Sequence, residues 1–198
     1  MNLDGIAEII ARGGVVAIPT DTVYGLACHP DHAAAAERIF ELKQRPQDME
    51  LSLLGANAAD LDGFGRLSDT PAAAHLAERF WPGPLSLIVA TRAPRHPAIP
   101  RSGETISLRV PAHEMTRQLL QRTGPLASTS ANRHGEPPAT TAADAVRIFA
   151  LSLDGVLDGG PAAGQPSTII DCTASPPRLL RAGPLSAAEL SPYLEGSP

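Results

Sequence analysis

The run Ser128-Thr129-Ser130-Ala131-Asn132 carries the side chains best suited to chemistry in this chain. Four of these five residues have small hydroxyl or amide groups, which are costly in a core and unfavourable inside a helix because they need hydrogen-bond partners. At the end of a strand such groups can bind a polar ligand, while the backbone N–H groups turn toward an anion. An ordinary Ser/Thr/Asn turn is the alternative, and the run alone favours the turn.

Cations in two other segments are suited to binding an anion. Lys43 and Arg45 lie at the C-terminal end of a predicted helix. A Lys supplies a point charge and an Arg a fork that matches two oxygens, so the pair could hold phosphates; pairing with the helix dipole is the alternative. Arg109 alternates with Leu108 and Val110 on a predicted strand, where it faces either solvent or a carboxylate or phosphate.

Three further polar segments follow or precede apolar strands. Thr22 lies in a loop whose hydroxyls could bind an amine or a carboxylate, Ser167 lies in a Gly- and Pro-marked loop, and Arg181 follows two leucines. Each of these segments alone is typical of a plain loop. His29 and His32 have no evident third ligand, so we predict no protein-bound metal. Together the hydroxyls and cations predict anion binding and phosphoryl chemistry.

Several motifs of other enzyme classes are missing from the sequence. There is no Gly-x-x-x-x-Gly-Lys-Ser/Thr loop, no Gly-x-Gly-x-x-Gly before a helix and no Gly-x-Ser-x-Gly elbow. Ordinary P-loop, dinucleotide-binding and serine-hydrolase sites are therefore disfavoured. The net charge of −5 argues against a general nucleic-acid coat, because phosphate contacts drive such binding, although a local basic groove stays open.

Interleaved apolar segments must position these side chains. Gly and Pro separate predicted strands from predicted helices, and several strand pairs have no helix between them, so we predict one α/β layered domain over residues 1–198 around a mixed sheet. Strands are predicted at residues 15–18, 23–28, 51–54, 85–90, 106–110, 155–157, 168–170 and 179–180. Helices are predicted from Leu3 to Gly13, from a cap at Asp31 to Leu42, from Thr70 to Phe80, from His113 to Thr123, from Thr141 to Phe149, and after Ser186.

The sequence has only two cysteines, which favours free thiols. The N-terminus has no basic, apolar leader, which favours a cytoplasmic protein with no membrane association. Residues 92–104 hold three prolines and three arginines, and are predicted to form a mobile loop. The single Trp81, in a Pro-rich turn, is predicted mainly to pack, with a pocket wall as the alternative.

Seven motifs, in order, resemble the YrdC/TsaC family over about residues 5–183. They are PTDTVYGL (19–26), KQRP (43–46), WPGPL (81–85), LRVP (108–111), STSAN (128–132), PSTIID (166–171) and LRAG (180–183). The resemblance implies a twisted mixed sheet flanked by helices around a concave basic cavity. It also implies threonylcarbamoyl-AMP synthase activity, a nucleotidyl transfer that uses L-threonine, bicarbonate and ATP with Mg2+ and releases pyrophosphate. The product would pass to a partner complex that makes N6-threonylcarbamoyladenosine in tRNA.

The same resemblance implies roles for individual residues. Lys43 and Arg45 would be the catalytic cations that hold the ATP phosphates. The L-threonine and carbamate site would consist of Thr22, Arg109, Ser128 and Ser167, and the remainder of the ATP site of Ser130, Asn132 and Arg181. Leu54 stands where many relatives have a His that meets threonine, so threonine recognition is expected to differ there. His134 replaces a Ser of the family pattern, and the extra C-terminal domain of longer relatives is not expected.

Two other functions remain as alternatives. A non-catalytic YrdC-like protein could bind RNA through its concave face. A related carbamoyl-transfer enzyme could act on carbamoyl phosphate, although the zinc-finger and acylphosphatase segments that accompany that activity in relatives are missing from the sequence.

Overall fold

Nine strands form one sheet in the computed structural model, which describes residues 1–44, 51–92 and 104–194. The strands are β1 (Val16–Ile18), β2 (Gly25–Cys28), β3 (Ser52–Leu54), β4 (Leu85–Ala90), β5 (Thr105–Arg109), β6 (Leu126–Ser130), β7 (Gly155–Val156), β8 (Thr168–Asp171) and β9 (Arg178–Arg181). Their order across the sheet is β7-β1-β2-β6-β3-β5-β4-β8-β9. The predicted strand segments are therefore confirmed, with ends that shift by one or two residues.

The sheet is mixed, as predicted from the irregular connections. β1 pairs with β7, β3 with β5 and β4 with β8 in parallel, and the other five neighbouring pairs are antiparallel. β6 enters between β2 and β3 although more than 70 residues of sequence separate it from either of them. This placement brings the Ser128–Asn132 run to the middle of the sheet.

Helices cover both faces of the sheet. They are α1 (Leu3–Ala11), α2 (Ala33–Lys43), α3 (Ala58–Asp62), α4 (Pro71–Phe80), α5 (Glu114–Thr123), α6 (Ala142–Phe149) and α7 (Ala187–Leu194), with a 3-10 turn at Ala150–Ser152. Strand alternation divides the apolar side chains between two layers. Ile6, Ile10, Val16 and Ile18 pack with the α5 leucines, whereas Ala17 belongs to the larger cluster on the other face.

Side-chain caps explain where most of the described helices begin. The Thr141 hydroxyl accepts from Asp144 N at 3.0 Å, and Ser186 and Glu189 form a reciprocal capping box. The predicted Asp31 cap is wrong, because α2 begins after His32 and no side chain caps it. Asp31 instead contacts His29, with its Oδ2 3.7 Å from Nδ1.

The five-residue helix α3 was not predicted, since it is too short for hydrophobic periodicity to register. Trp81 is half-buried and packs against the core, and its indole Nε1 donates to Leu85 O at 2.7 Å, in agreement with a packing role. Arg45 and nearly all of the predicted 92–104 loop lie outside the described residues. None of the helices in the described ranges has the length and apolar character needed to cross a membrane.

Candidate active site

A concave cleft of about 200 Å3 opens over the central strands. Among the residues that line it are six of the predicted site residues: Thr22, Arg109, Ser128, Ser130, Ser167 and Arg181. They come from the loop after β1, from β5, from β6 and from the two ends of the β8–β9 hairpin. Segments separated by up to 159 positions thus meet at one cavity.

The hydroxyl run is held at the cleft by Lys43, at the end of α2. Its ammonium donates to Ser130 O at 2.6 Å, to Asn132 O at 2.8 Å and to Asn132 Oδ1 at 3.1 Å. Ser130 Oγ also donates to Asn132 Oδ1 at 2.6 Å. Lys43 and Asn132 therefore adjoin the Ser130 wall of the cleft, although they are not among the residues that line it.

Arg109 lies at the end of β5 and is buried, with 6% of the residue exposed. Its Nε donates to Gly83 O at 3.0 Å, Nη1 to Thr22 Oγ1 at 2.9 Å and Nη2 to Asp21 Oδ1 at 2.7 Å. Burial lowers the pKa of this guanidinium, and the nearby Asp21 charge opposes that shift. Within the described part of the chain these groups take three of the five N–H donors, which leaves two for a ligand.

Arg181 provides the second guanidinium of the cleft. Its Nε donates to Ser167 O at 2.9 Å and its Nη2 to Ser167 Oγ at 3.1 Å. Desolvation lowers the pKa of Arg181. Within the described ranges no carboxylate forms an ion pair with it, in contrast to Arg178 on the same strand, which pairs with Asp171 at 3.0 Å. Arg181 therefore presents a positive charge that an anionic ligand could neutralise.

Ser52 and Ser86 also line the cleft, and neither was predicted from the sequence. Ser52 Oγ donates to Ser107 Oγ at 2.9 Å, and Ser86 Oγ lies 2.9 Å from Ser167 Oγ. Ser52 is the cross-strand partner of both Ser107 and Ser128, so hydroxyls from adjacent strands form the floor. In the sequence each is a single Ser between two leucines. Side chains alternate along a strand, so this pattern predicts that the Ser faces the side of the sheet opposite to the leucines.

Tyr24 also lines the cleft, and no function was predicted for it. Its hydroxyl donates to Gly160 O at 2.8 Å and accepts from Gly159 N at 3.2 Å. Burial raises the pKa of the Tyr24 phenol, which keeps it protonated as a donor to the loop after β7. A buried Tyr next to a polar motif was a usable signal, since a buried phenol needs a hydrogen-bond partner.

The lining chemistry favours anions over metal ions. Among the described residues the cleft lining contains two guanidinium groups and several hydroxyls, and no Asp or Glu. Such a set can bind carboxylate and phosphate oxygens and can stabilise negative charge that develops during a reaction. A cation would have to arrive with its own anionic ligands, as Mg2+ does when phosphates bind it.

Comparisons with known proteins identify the family of this chain. The family model of Sua5, YciO and YrdC proteins, described as telomere recombination, matches residues 8–183. The chain is 39% identical over 191 residues to a threonylcarbamoyl-AMP synthase of Pyrococcus abyssi, covering 93% of this chain and 54% of that protein. It is 37% identical over 174 residues to a threonylcarbamoyl-AMP synthase of Stenotrophomonas maltophilia, covering 86% of this chain and 94% of that one.

Solved structures give the same result. The crystal structure of P. abyssi Sua5 complexed with L-threonine has a TM-score of 0.89 and 36% identity, and the match covers 98% of this chain and 57% of that one. Escherichia coli YciO has a TM-score of 0.86 and 26% identity, covering 97% of this chain and 92% of that one. The chain thus spans slightly more than half of the longer relatives and nearly all of the shorter ones.

Proposed function

The chain belongs to the Sua5/YciO/YrdC family, and from that premise we propose that it is an L-threonylcarbamoyladenylate synthase. It would form threonylcarbamoyl-AMP and pyrophosphate from L-threonine, bicarbonate and ATP. The two relatives compared above are named threonylcarbamoyl-AMP synthase, and the solved structure of P. abyssi Sua5, at 36% identity, is complexed with L-threonine. These matches favour a catalytic role over a non-catalytic RNA-binding protein.

One observation carries the proposal: guanidinium groups and hydroxyls from distant segments meet in a cleft whose described lining has no carboxylate. The proposed reaction joins two anions, a carbamate and a nucleoside triphosphate, which repel each other in water. A lining of cations and hydroxyl donors reduces that repulsion and orients both reactants. The same lining would be a poor site for a cationic ligand.

Residue roles follow from position and from the family motifs. We propose that four residues bind L-threonine and its carbamate: Thr22 in the loop after β1, Arg109 at the end of β5, Ser128 on β6 and Ser167 just before β8. ATP would be bound by Ser130, Asn132 and Arg181, with Lys43 and Arg45 as the catalytic cations. Lys43 donates to the backbone oxygens of Ser130 and Asn132, so it would also hold these two ATP-binding residues in place.

The reaction would proceed in two balanced steps. The α-amine of L-threonine attacks the carbon of bicarbonate, a C–N bond forms, and water leaves to give a carbamate. A carbamate oxygen then attacks the α-phosphorus of ATP, the bond from that phosphorus to the bridging oxygen of pyrophosphate breaks, and pyrophosphate leaves. No enzyme nucleophile takes part, so catalysis consists of placing the reactants and neutralising charge.

ATP would bind as its magnesium complex. Because no Asp or Glu occurs among the described lining residues, the ion would be held by phosphate oxygens and water and would enter with the nucleotide. Its contribution would be to neutralise charge on the leaving pyrophosphate.

Threonine recognition would use an apolar contact here. Leu54 is buried at the end of β3 and lines the cleft, where many relatives have a His. A Leu cannot donate to the threonine hydroxyl, but it can pack against the threonine methyl group. We therefore expect threonine to be preferred over serine by about 10-fold or more, the value of one methyl group in an apolar contact.

The product is a mixed anhydride that has no use by itself, so a partner must consume it. We propose that the protein works in the cytoplasm beside the proteins that transfer threonylcarbamoyl to tRNA, and that tRNA contacts it indirectly or weakly. The net charge of −5 supports weak direct binding of RNA.

The proposal is tested by pyrophosphate release from purified protein given MgATP and bicarbonate, with and without L-threonine. We expect release only when all three substrates are present, and incorporation of 14C-bicarbonate into an adenylate that chromatography separates from ATP. L-Serine in place of L-threonine should lower kcat/KM by about 10-fold or more. Release that does not depend on L-threonine, or salt-dependent binding of tRNA without turnover, would refute the proposal.

A further inference from the structure

Asp21 lies immediately behind the cleft, one position before Thr22. Its Oδ1 accepts from Arg109 Nη2 at 2.7 Å and from Ala112 N at 3.0 Å. The backbone N–H fixes the carboxylate, and the carboxylate in turn fixes one end of the guanidinium. Only 18% of the Asp21 side chain and 7% of the Arg109 side chain are exposed, so solvent screens this ion pair little.

The Arg109 guanidinium is held at three points. Besides Asp21, Gly83 O binds its Nε and Thr22 Oγ1 binds its Nη1. Because a guanidinium is planar and rigid, three contacts determine both its position and its tilt. Without the carboxylate, the Nη2 end would lose its acceptor, and Arg109 could rotate away from the Thr22 hydroxyl.

The Thr20 and Thr22 side chains belong to the same network. Thr20 Oγ1 donates to Val23 O at 2.6 Å and accepts from Thr22 N at 3.1 Å and from Val23 N at 3.2 Å, which uses its proton and both of its lone pairs. Thr22 Oγ1 lies 2.9 Å from Thr20 Oγ1 and accepts from Arg109 Nη1 at 2.9 Å. Thr20 and Arg109 together therefore fix the place of the Thr22 oxygen at the cleft.

We propose that Asp21 is a positioning residue that, through Arg109, fixes the Thr22 hydroxyl where it meets the amino-acid substrate. The inference rests on the proposed function and adds to it a residue that is not among the cleft lining. Asp21 therefore orients L-threonine through Arg109 and Thr22 without touching it.

Substitution of Asp21 tests this role, and Asp154 provides a matched control. Asp154 Oδ2 also binds one Arg and one backbone N–H, with Arg38 Nη1 at 2.6 Å and Val15 N at 2.7 Å, and it is not among the cleft lining. We expect Asp21→Ala to lower kcat/KM for L-threonine by about 10²-fold, the effect of a misplaced reactant. The KM for ATP should stay within twofold, and Asp154→Ala should leave both parameters within twofold.

Asp21→Asn provides the conservative rescue. Its amide oxygen can still accept from Arg109 and Ala112, so it should recover at least 10-fold of the loss in Asp21→Ala and should fold if the Ala variant does not. Equal losses for L-threonine and ATP, or a loss shared by Asp154→Ala, would mean that Asp21 is only structural.

A double-mutant cycle examines the path from Asp21 to Thr22. Thr22→Val removes the hydroxyl at constant shape. If Asp21 acts through that hydroxyl, kcat/KM for L-threonine in the double variant Asp21→Ala/Thr22→Val should be no lower than in the less active of the two single variants. If the two losses multiply instead, the inference is wrong.

Binding of L-threonine measured by calorimetry, in the presence of the non-hydrolysable ATP analogue AMPCPP, separates this inference from the proposed function. If the wild type binds L-threonine but releases no pyrophosphate, the synthase activity is refuted. The role of Asp21 is still supported in that case if Asp21→Ala binds L-threonine more weakly than the wild type and Asp154→Ala does not. An active wild type with unchanged binding in Asp21→Ala refutes the inference and leaves the synthase proposal intact.

Discussion

A Cβ built on Gly25 would lie 2.9 Å from Ser128 Oγ, so the glycine on β2 makes the room that the Ser128 hydroxyl occupies on β6. The same Cβ would be 3.2 Å from Thr129 O. We therefore expect Gly25→Ala to displace Ser128 and to lower threonine-dependent pyrophosphate release by about 10-fold or more, with a loss of about 1–3 kcal/mol in the free energy of unfolding. Steady-state kinetics and urea unfolding measure the two effects.

Gly63→Ala is the control for this substitution. Gly63 ends α3 with φ of −66°, and a Cβ there would meet nothing within 4 Å. This variant should keep wild-type activity and be equally or slightly more stable. Wild-type kinetics for Gly25→Ala would contradict the assigned position of Ser128 in the site.

Arg181 gives the second prediction, because the structure contrasts it with Arg178 on the same strand. Arg181 binds Ser167 and faces the cleft, whereas Arg178 pairs with Asp171. Arg181→Ala should lower kcat/KM for ATP by about 10²-fold, the cost of one charge-assisted contact to the reacting anion. Arg181→Lys should recover part of the activity, since a Lys keeps the charge and loses the fork.

The control for Arg181 is Arg178→Ala, which removes an Arg side chain that is 67% exposed and pairs with Asp171, and which should leave kcat/KM for ATP within twofold. Initial rates of pyrophosphate release at varied ATP concentrations measure each variant. Equal losses in the two Ala variants would show that the strand, and not the Arg181 charge, matters.

The strands could be predicted because each is a short apolar run bounded by Gly, Pro or polar residues. Their order across the sheet could not be. Nothing local in the sequence states that β6 enters between β2 and β3, since that placement depends on long-range packing. The contact of Lys43 with Ser130 is a consequence of this order and was equally hidden.

Site residues divide in a similar way. Thr22, Arg109, Ser128, Ser130, Ser167 and Arg181 were found through polar motifs and the family pattern, and they line one cleft. Ser52 and Ser86 were missed because a single Ser inside a leucine-rich strand is weak evidence of function. The Asp21–Arg109 pair was missed because an Asp in a polar loop suggests a turn, and its partner is 88 positions away.

The two cysteines should be inert in the folded protein. Burial raises the pKa of Cys28 and Cys172 to about 12, so at pH 8 only about one thiol in 10⁴ would be ionised. We expect no reaction with the thiol reagent DTNB in native buffer over minutes, and two thiols per chain in 6 M guanidinium. Rapid labelling of the native protein would contradict the buried positions of these side chains.

Asp144 should make the stability of the protein depend on pH in the acid range. The ion pair with Arg147, followed by hydrogen bonds from Thr141 and Thr140, lowers the Asp144 pKa from 3.8 to about 2. A carboxyl with a depressed folded-state pKa stabilises the fold above its unfolded pKa, and this contribution is lost as pH falls through the folded pKa. The stabilisation by Asp144 should therefore be complete above about pH 4 and gone near pH 2.

Asp144→Asn tests this pH dependence, because the backbone N–H at this position can still donate to the Thr141 hydroxyl and keep the helix cap while the charge is lost. We expect the variant to unfold at lower urea concentrations than the wild type at pH 5, and the difference between them to shrink through pH 4 and 3 and vanish near pH 2. Arg12→Ala is a suitable control, since it removes an ion pair with Glu8 in which both side chains are exposed. A difference between Asp144→Asn and the wild type that stays constant from pH 5 to 2 would show that the amide, and not the lost charge, causes the effect.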